Sequence, residues 1–84
     1  MGYSLADTVD MMLSNDYKER FKGEYYQLKY RHDKLHDMVV KYEAGTLNFK
    51  PNCPLDVLET QRATMRAYMD WLEVRAEIEG IELE

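Results

Sequence analysis

One uninterrupted stretch of the chain decides the fold: residues 16–44, DYKERFKGEYYQLKYRHDKLHDMVVKYEA. The stretch contains no proline, and a stripe of mostly apolar side chains recurs in it in alternating steps of four and three, at Phe21, Tyr25, Leu28, His32, Leu35, Val39 and Tyr42. This spacing is typical of a long α-helix that packs one side against another helix. We therefore predict a helix over about residues 15–44, which ends at Gly45 as a left-handed C-cap.

A second long helix is predicted over about residues 54–79. Pro54 suits the first position of a helix, where Asn52 or Cys53 would cap it, and Gly80 suits the turn after the last position. The stripe of this helix is less apolar and comprises Leu58, Gln61, Met65, Tyr68, Leu72, Arg75 and Glu79. Residues 45–53 form the connector. Two long helices with so short a connector predict an antiparallel hairpin.

A short helix is predicted ahead of the hairpin, over about residues 5–13. Ser4 is a suitable N-cap with Asp7 three residues later, and four apolar residues follow at helical spacing: Leu5, Val9, Met12 and Leu13. The fold class is thus all-α, with residues 1–84 as one domain. The tail over residues 81–84 is expected to fray.

The small size of the chain indicates that it needs a partner. It has 84 residues, and a chain of this length buries only ~60% of its unfolded surface. We expect a homo-oligomer that forms a helical bundle, with an interface at Gly23, Tyr26 and Tyr30, away from the main stripe. A glycine inside a helix costs about 1 kcal/mol and so calls for a close approach of another helix. Alternatively, the two tyrosines cover the short N-terminal helix of the same chain.

Several classes of function are disfavoured by the composition. Cys53 is the single cysteine, which excludes an intramolecular disulfide and is typical of a reducing compartment. Two histidines and one cysteine offer no metal-binding spacing, no apolar run is long enough for a membrane, and a net charge of −5 disfavours a long nucleic acid. We expect a cytoplasmic protein that is not an enzyme and has no metal or cofactor, with His32 as a residue of the helix seam.

A small anionic nucleotide is the ligand that the first long helix suits best. Residues 56–84 hold three Lys or Arg against eight Asp or Glu, whereas residues 16–43 hold seven against six. The candidate ligand-binding residues are Tyr17, Lys18, Arg20, Glu24, Tyr25 and Arg31. Arginine and lysine bind phosphate, a base can stack on Tyr17 or Tyr25, and Glu24 can accept a hydrogen bond from a guanine. The alternative is ordinary helical ion pairing, such as Arg20 with Glu24.

The run from Asn15 to Arg31, NDYKERFKGEYYQLKYR, and the later segment Leu72-Glu73-Val74-Arg75 carry a resemblance. They resemble a family of small phage and prophage proteins that are relatives of a crAss-like phage product, over about residues 14–80. The layout of a short helix and a hairpin is similar to that of phage sponge proteins, which counter the CBASS and Thoeris defences by sequestering cyclic-nucleotide or cyclic ADP-ribose signals.

The resemblance implies a phage-encoded anti-defence protein that acts in the cytoplasm of the bacterial host. Such a protein would hold an immune signal between protomers without cleaving it. A second hypothesis is a protein–protein interaction module that inhibits a host defence protein through its acidic or aromatic helix face. A third is an acidic mimic of DNA, which would use the C-terminal helix.

Overall fold

The computed structural model describes residues 4–83, and all regular structure within them is α-helical. Helix α1 comprises Leu5–Met12, α2 comprises Tyr17–Ala44 and α3 comprises Leu55–Glu79. The predicted all-α fold is therefore confirmed. Helices α2 and α3 run antiparallel, because Tyr17 at the start of α2 contacts Glu79 at the end of α3. The molecule measures 43 × 25 × 21 Å.

The helix ends follow local capping rules in all but one case. Ser4 and Asp7 form a reciprocal capping box at α1, and the Asp16 carboxylate accepts a hydrogen bond from the Lys18 backbone N–H at 3.0 Å. Gly45 and Gly80 adopt left-handed conformations, with φ of 77° and 70°. The expected cap of α3 was wrong. Pro54 is itself the N-cap in an extended conformation, and no side chain caps this helix.

The hydrophobic core lies between α2 and α3 and continues beneath the C-terminal tail. Its main cluster consists of Phe21, Tyr25, Tyr26, Met69, Leu72, Ala76 and Ile81. The buried stripe of α3 differs from the predicted one, because Met69 and Ala76 turn inward where Tyr68 and Arg75 were expected. The polar groups of Tyr68 and Arg75 stay at the rim of the seam, where they form hydrogen bonds. Burial without such partners would cost free energy.

Helix α1 packs against α2 at Gly23. A Cβ atom placed on Gly23 would lie 2.9 Å from Met11 Cβ and from Met12 Cγ, and 3.0 Å from the Met12 backbone nitrogen. Only glycine allows this approach of two backbones. The close contact that Gly23 predicted is therefore present, and a helix of the same chain makes it.

The tail after α3 is packed against the core, contrary to the expectation that it frays. Ile81 is 5% exposed, and its backbone N–H donates to the Ala76 carbonyl at 2.9 Å. The left-handed turn at Gly80 redirects the chain and allows Leu83 to pack against the core cluster. Of the predicted tail, Glu84 lies outside the described residues.

Candidate functional site

Tyr17 joins the start of α2 to the end of α3. Its hydroxyl accepts a hydrogen bond from an Arg75 guanidinium nitrogen at 2.9 Å and donates one to Glu79 Oε1 at 2.8 Å. The side chain of Tyr17 is nevertheless 46% exposed. The antiparallel hairpin thus holds this tyrosine by its hydroxyl and leaves much of its ring open to solvent.

Arg75 places a fixed positive charge beside this ring. Its guanidinium lies 5.0 Å from the centre of the Phe21 ring, and its Nε atom lies 3.5 Å from Glu79 Oε2. The hydrogen bond with Tyr17 raises the pKa of Arg75 further above its ordinary value. We call Tyr17, Phe21, Arg75 and Glu79 the Tyr17 cluster. It combines an open aromatic face with a guanidinium, which are the groups that recognise a base and a phosphate.

Two further predicted cations lie at the same end of the hairpin. Lys18 follows Tyr17 directly and is exposed. Arg20 is also exposed, and it donates a hydrogen bond to the Ser14 carbonyl at 2.9 Å. This contact directs Arg20 back toward the connection between α1 and α2. Both cations are therefore open to solvent on the first turn of α2, close to Tyr17 in sequence.

Glu24 and Arg31 lie farther along α2, on the same edge of the helix as Arg20. The three residues are spaced by four and seven positions, which places them on one face. Glu24 accepts a hydrogen bond from the Tyr68 hydroxyl of α3, and Arg31 is exposed. The structure thus engages Glu24 with α3 and Arg20 with Ser14, where the sequence suggested a pair between the two.

Tyr25 occupies the opposite edge of the seam and belongs to the core. It is 6% exposed, and its hydroxyl donates to Glu73 Oε2 at 2.8 Å. Arg66 holds the same Glu73 oxygen at 2.9 Å and also binds Asp70. Burial, followed by the hydrogen bond to Glu73, raises the pKa of Tyr25 to about 12. Because Tyr25 is buried to this extent, its ring has no open face on which a base could stack.

An open cavity of about 710 Å³ adjoins Tyr25 at the end of α3. Its lining includes three carboxylates, Glu73, Glu77 and Glu82, together with apolar surface from Ala76, Ile81 and Leu83. The acidic lining opposes an anionic ligand. Among the described residues the cavity lining contains no cation, whereas the Tyr17 cluster pairs one guanidinium with one carboxylate.

The residues predicted to form an interface between copies are partly covered within one chain. Gly23 is buried under α1, and Tyr26 is 4% exposed as part of the core cluster. Tyr30 is half-buried, with the Lys34 ammonium 5.5 Å from its ring centre. Helix α1 thus covers Gly23, whereas the alternative in which Tyr26 and Tyr30 cover that helix stays a prediction. The use of this face between copies stays a prediction.

The two histidines lie side by side near the middle of the hairpin. Their rings stack with centres 5.9 Å apart, and His32 Nδ1 lies 3.1 Å from Asp33 Oδ1. Among residues 4–83, no group of three or more His, Cys, Asp or Glu side chains is arranged to hold a metal ion. In the same part of the chain, no helix is long and apolar enough to cross a membrane.

Three residues of this region were not recognised as site residues from the sequence: Tyr68, Arg75 and Glu79. All three had been placed in the buried stripe of α3. The signal that could have found them is their polarity, because a tyrosine, an arginine and a glutamate in an otherwise apolar stripe need partners across the seam. An antiparallel pairing of the two predicted helices places Arg75 and Glu79 opposite Tyr17.

Fold and site together define a small all-α protein built on an antiparallel hairpin. The Tyr17 cluster, with its aromatic rings and its guanidinium, lies at the open end of the hairpin, opposite the connector between α2 and α3. The sequence model of the Sequestin family matches residues 15–78 of this chain. The chain therefore belongs to the Sequestin family. The matched segment begins two residues before α2 and ends within the last turn of α3, so it comprises the hairpin and not α1. No curated protein and no solved structure matches the chain.

Proposed function

We propose that this protein is a phage-encoded anti-defence protein that sequesters a small anionic nucleotide. The ligand would be an immune signal of the cyclic-nucleotide or cyclic ADP-ribose type, held without cleavage in the cytoplasm of the infected bacterium. The family supports the coarser part of this proposal, because the name Sequestin points to sequestration of a ligand or factor. The resemblance to crAss-like phage proteins and to phage sponges supports the finer part.

The Tyr17 cluster is the observation that carries the proposal. Binding an anion with a planar base needs a cation and an aromatic surface that are already in place, since ordering flexible groups on binding costs free energy. Tyr17 is held by two hydrogen bonds from its hydroxyl, and Arg75 is held against Phe21. A base would stack on the open side of Tyr17 while Arg75, Arg20 and Lys18 meet the phosphates.

Sequestration requires only binding, and the cluster is suited to that. The guanidinium of Arg75 remains protonated at any physiological pH, so it attracts phosphate but does not transfer a proton. The Glu79 carboxylate accepts a hydrogen bond from the Tyr17 hydroxyl and so orients the ring. In this proposal the protein lowers the concentration of free signal in proportion to its own amount, and the signal stays chemically intact.

Calorimetric titration with a panel of cyclic dinucleotides, cyclic trinucleotides and cyclic ADP-ribose isomers tests the proposal. We expect stoichiometric binding of at least one member by micromolar protein. Replacement of Tyr17 by Ala should weaken this binding by about 5- to 150-fold, because the stacking of one base is worth ~1–3 kcal/mol. Absence of heat with every member of the panel would exclude a sponge for these signals.

A matched control separates binding from folding. Tyr42 lies near the other end of α2 and is 40% exposed, which is close to the exposure of Tyr17. Tyr42→Ala should leave both the affinity and the helical circular dichroism unchanged. If Tyr17→Ala retains full affinity while the protein stays folded, the Tyr17 cluster is not the binding site.

The acidic cavity beside Tyr25 favours the second candidate function, inhibition of a host defence protein. Glu73, Glu77 and Glu82 surround apolar surface there, which suits a basic segment of a protein partner. Pull-down of a defence protein that is lost in a Glu77→Lys, Glu82→Lys double variant, without any nucleotide binding by the parent, would favour this function over sequestration.

A further inference from the structure

A second stripe of regularly spaced side chains runs along the outer side of α3, away from α2. Its members again alternate in steps of three and four: Val57, Thr60, Thr64, Ala67, Trp71, Val74 and Ile78. Every one of them is exposed in the single chain, and Trp71 and Ile78 reach 69% and 78% exposure. We call these seven residues the outer stripe. A repeat of this kind over three heptads is the sequence pattern of a helix that packs against a second helix.

The threonines of the outer stripe are already satisfied within their own helix. The Thr60 hydroxyl donates to the Asp56 carbonyl at 2.8 Å, and the Thr64 hydroxyl donates to the Thr60 carbonyl at 2.9 Å. A partner helix could therefore cover both side chains without leaving a buried hydroxyl unpaired, which would cost free energy. The two threonines thus do not oppose burial of the outer stripe.

We propose that the outer stripe is the interface at which two copies of this chain pair, with their α3 helices parallel. In this register each member of the stripe faces the same residue of the second copy. Three of the four first positions of the heptads, Val57, Thr64 and Ile78, are β-branched, and in parallel coiled coils β-branched residues at these positions favour two helices over larger assemblies. Ala67 and Thr64 are small enough to leave room for the two Trp71 side chains.

Charge complementarity favours the parallel direction of the pair. In a parallel pair, the residue before a first heptad position meets the residue five places later in the partner. This rule places Asp70 of one copy against Arg75 of the other, twice by symmetry. This contact would add to those within each chain, where Asp70 binds Arg66 and Arg75 binds Tyr17 and Glu79. The two side chains are 60% and 48% exposed in the single chain. An antiparallel pair in the register that sets Thr60 against Ile78 would instead bring the two Asp70 carboxylates together, and like charges there are destabilising.

This interface is not the one predicted from the sequence, which comprises Gly23, Tyr26 and Tyr30. Helix α1 occupies the Gly23 face within the chain, whereas no described element packs on the outer stripe. The proposal concerns assembly and stands apart from the identity of any ligand. A chain that pairs in this way but binds no nucleotide would leave the assembly proposal intact.

Sedimentation or light scattering of the full chain tests the pairing. At tens of micromolar we expect twice the chain mass, and Trp71→Glu should reduce it to the mass of one chain, 10.0 kDa. The matched control is Leu13→Glu, which adds the same charge at an apolar residue that is 78% exposed outside the stripe. A wild-type monomer, or a Trp71→Glu variant that still pairs, would overturn the proposal.

A cysteine placed at one end of the outer stripe tests whether the two α3 helices run parallel or antiparallel. Cys53 is free and exposed, so it is first replaced by serine, and Ile78 is then replaced by cysteine. In the parallel pair the two new thiols are adjacent, and mild oxidation should link most of the protein into covalent dimers. In an antiparallel pair they would lie far apart, and Thr60→Cys mixed with Ile78→Cys would link instead. That second result would overturn the parallel register.

Discussion

Tyr25 shows how one polar atom can hold two helices in register. Its ring contributes to the core, while its hydroxyl crosses the seam to Glu73, which Arg66 also binds. Burial and the bond to the carboxylate both favour the neutral hydroxyl, so the pKa of Tyr25 is raised to about 12. The same two causes make the folded state sensitive to high pH.

The stability of the fold should therefore fall between about pH 10 and 12. A raised pKa in the folded state contributes stability that is fully present below the ordinary tyrosine pKa of about 10 and is lost as the pH approaches the folded-state value of about 12. Urea unfolding across this range should show a steeper loss for the parent than for Tyr25→Phe, which cannot titrate. Parallel curves for the two proteins would refute the proposed cause.

Gly23 is the residue at which the packing of α1 is most sensitive to substitution. Valine at this position would drive side-chain atoms into Met11, Met12 and the Met12 backbone, where even a single Cβ lies at 2.9–3.0 Å. We expect Gly23→Val to lower the free energy of unfolding by about 1–3 kcal/mol, the usual cost of overpacking. Ala63→Val, at an exposed position of α3, is the control and should cost only a few tenths of a kcal/mol. Equal losses for the two variants would show that α1 does not constrain this site.

At the scale of the elements, the C-terminal tail packs over the hydrophobic core and covers it. Gly80 ends α3 in a left-handed turn, and Ile81 then enters the same cluster as Tyr25 and Ala76. This arrangement extends the core beyond the last helix. It also explains why the hairpin, with only two long helices, can bury aromatic side chains at its open end.

Loss of the Ile81 side chain should therefore be costly. Ile81→Ala is expected to lower the free energy of unfolding by about 2 kcal/mol or more, since it leaves a cavity in the core. Leu13→Ala serves as the control, because Leu13 is 78% exposed against 5% for Ile81. Chemical denaturation of both variants measures the difference. A loss for Ile81→Ala as small as that of the control would indicate that the tail frays in solution, as the sequence suggested.

Helix positions were predictable because they depend on local rules. The stripe of α2, the capping residues Ser4 and Asp16, and the glycines at positions 45 and 80 each act within a few residues of chain. The face of α3 that turns toward α2 was not predictable from the residues of α3 alone. It depends on whether Tyr68 and Arg75 find polar partners on α2, which is a property of two helices together.

The candidate site was predictable in part for the same reason. Tyr17, Lys18 and Arg20 are all exposed in the first turn of α2, and their role as one binding site stays a prediction. Tyr25 was placed with them because it is close in sequence, yet the helix turns its ring into the core. Arg75 and Glu79 complete the cluster from the far end of the chain, and only the antiparallel pairing of the two helices brings them there.

At the scale of the whole molecule, charge differs between the two long helices. Residues 16–43 hold seven Lys or Arg against six Asp or Glu, whereas residues 56–84 hold three against eight. A long nucleic acid would meet the whole of this acidic surface, which disfavours its binding. In the proposed function a small anion would meet only the surface around Tyr17, where Arg75 and the cations of early α2 lie.

Retention and release of an intact nucleotide test the central claim most directly. The protein is mixed with a substoichiometric cyclic ADP-ribose isomer or cyclic dinucleotide and passed through a membrane that retains protein, and the retained fraction is then heated. Sequestration predicts that the nucleotide is missing from the filtrate and that heating returns it with unchanged chromatographic mobility and mass. Nucleotide that stays in the filtrate for every signal tested, or that returns as a cleaved product, would contradict the account.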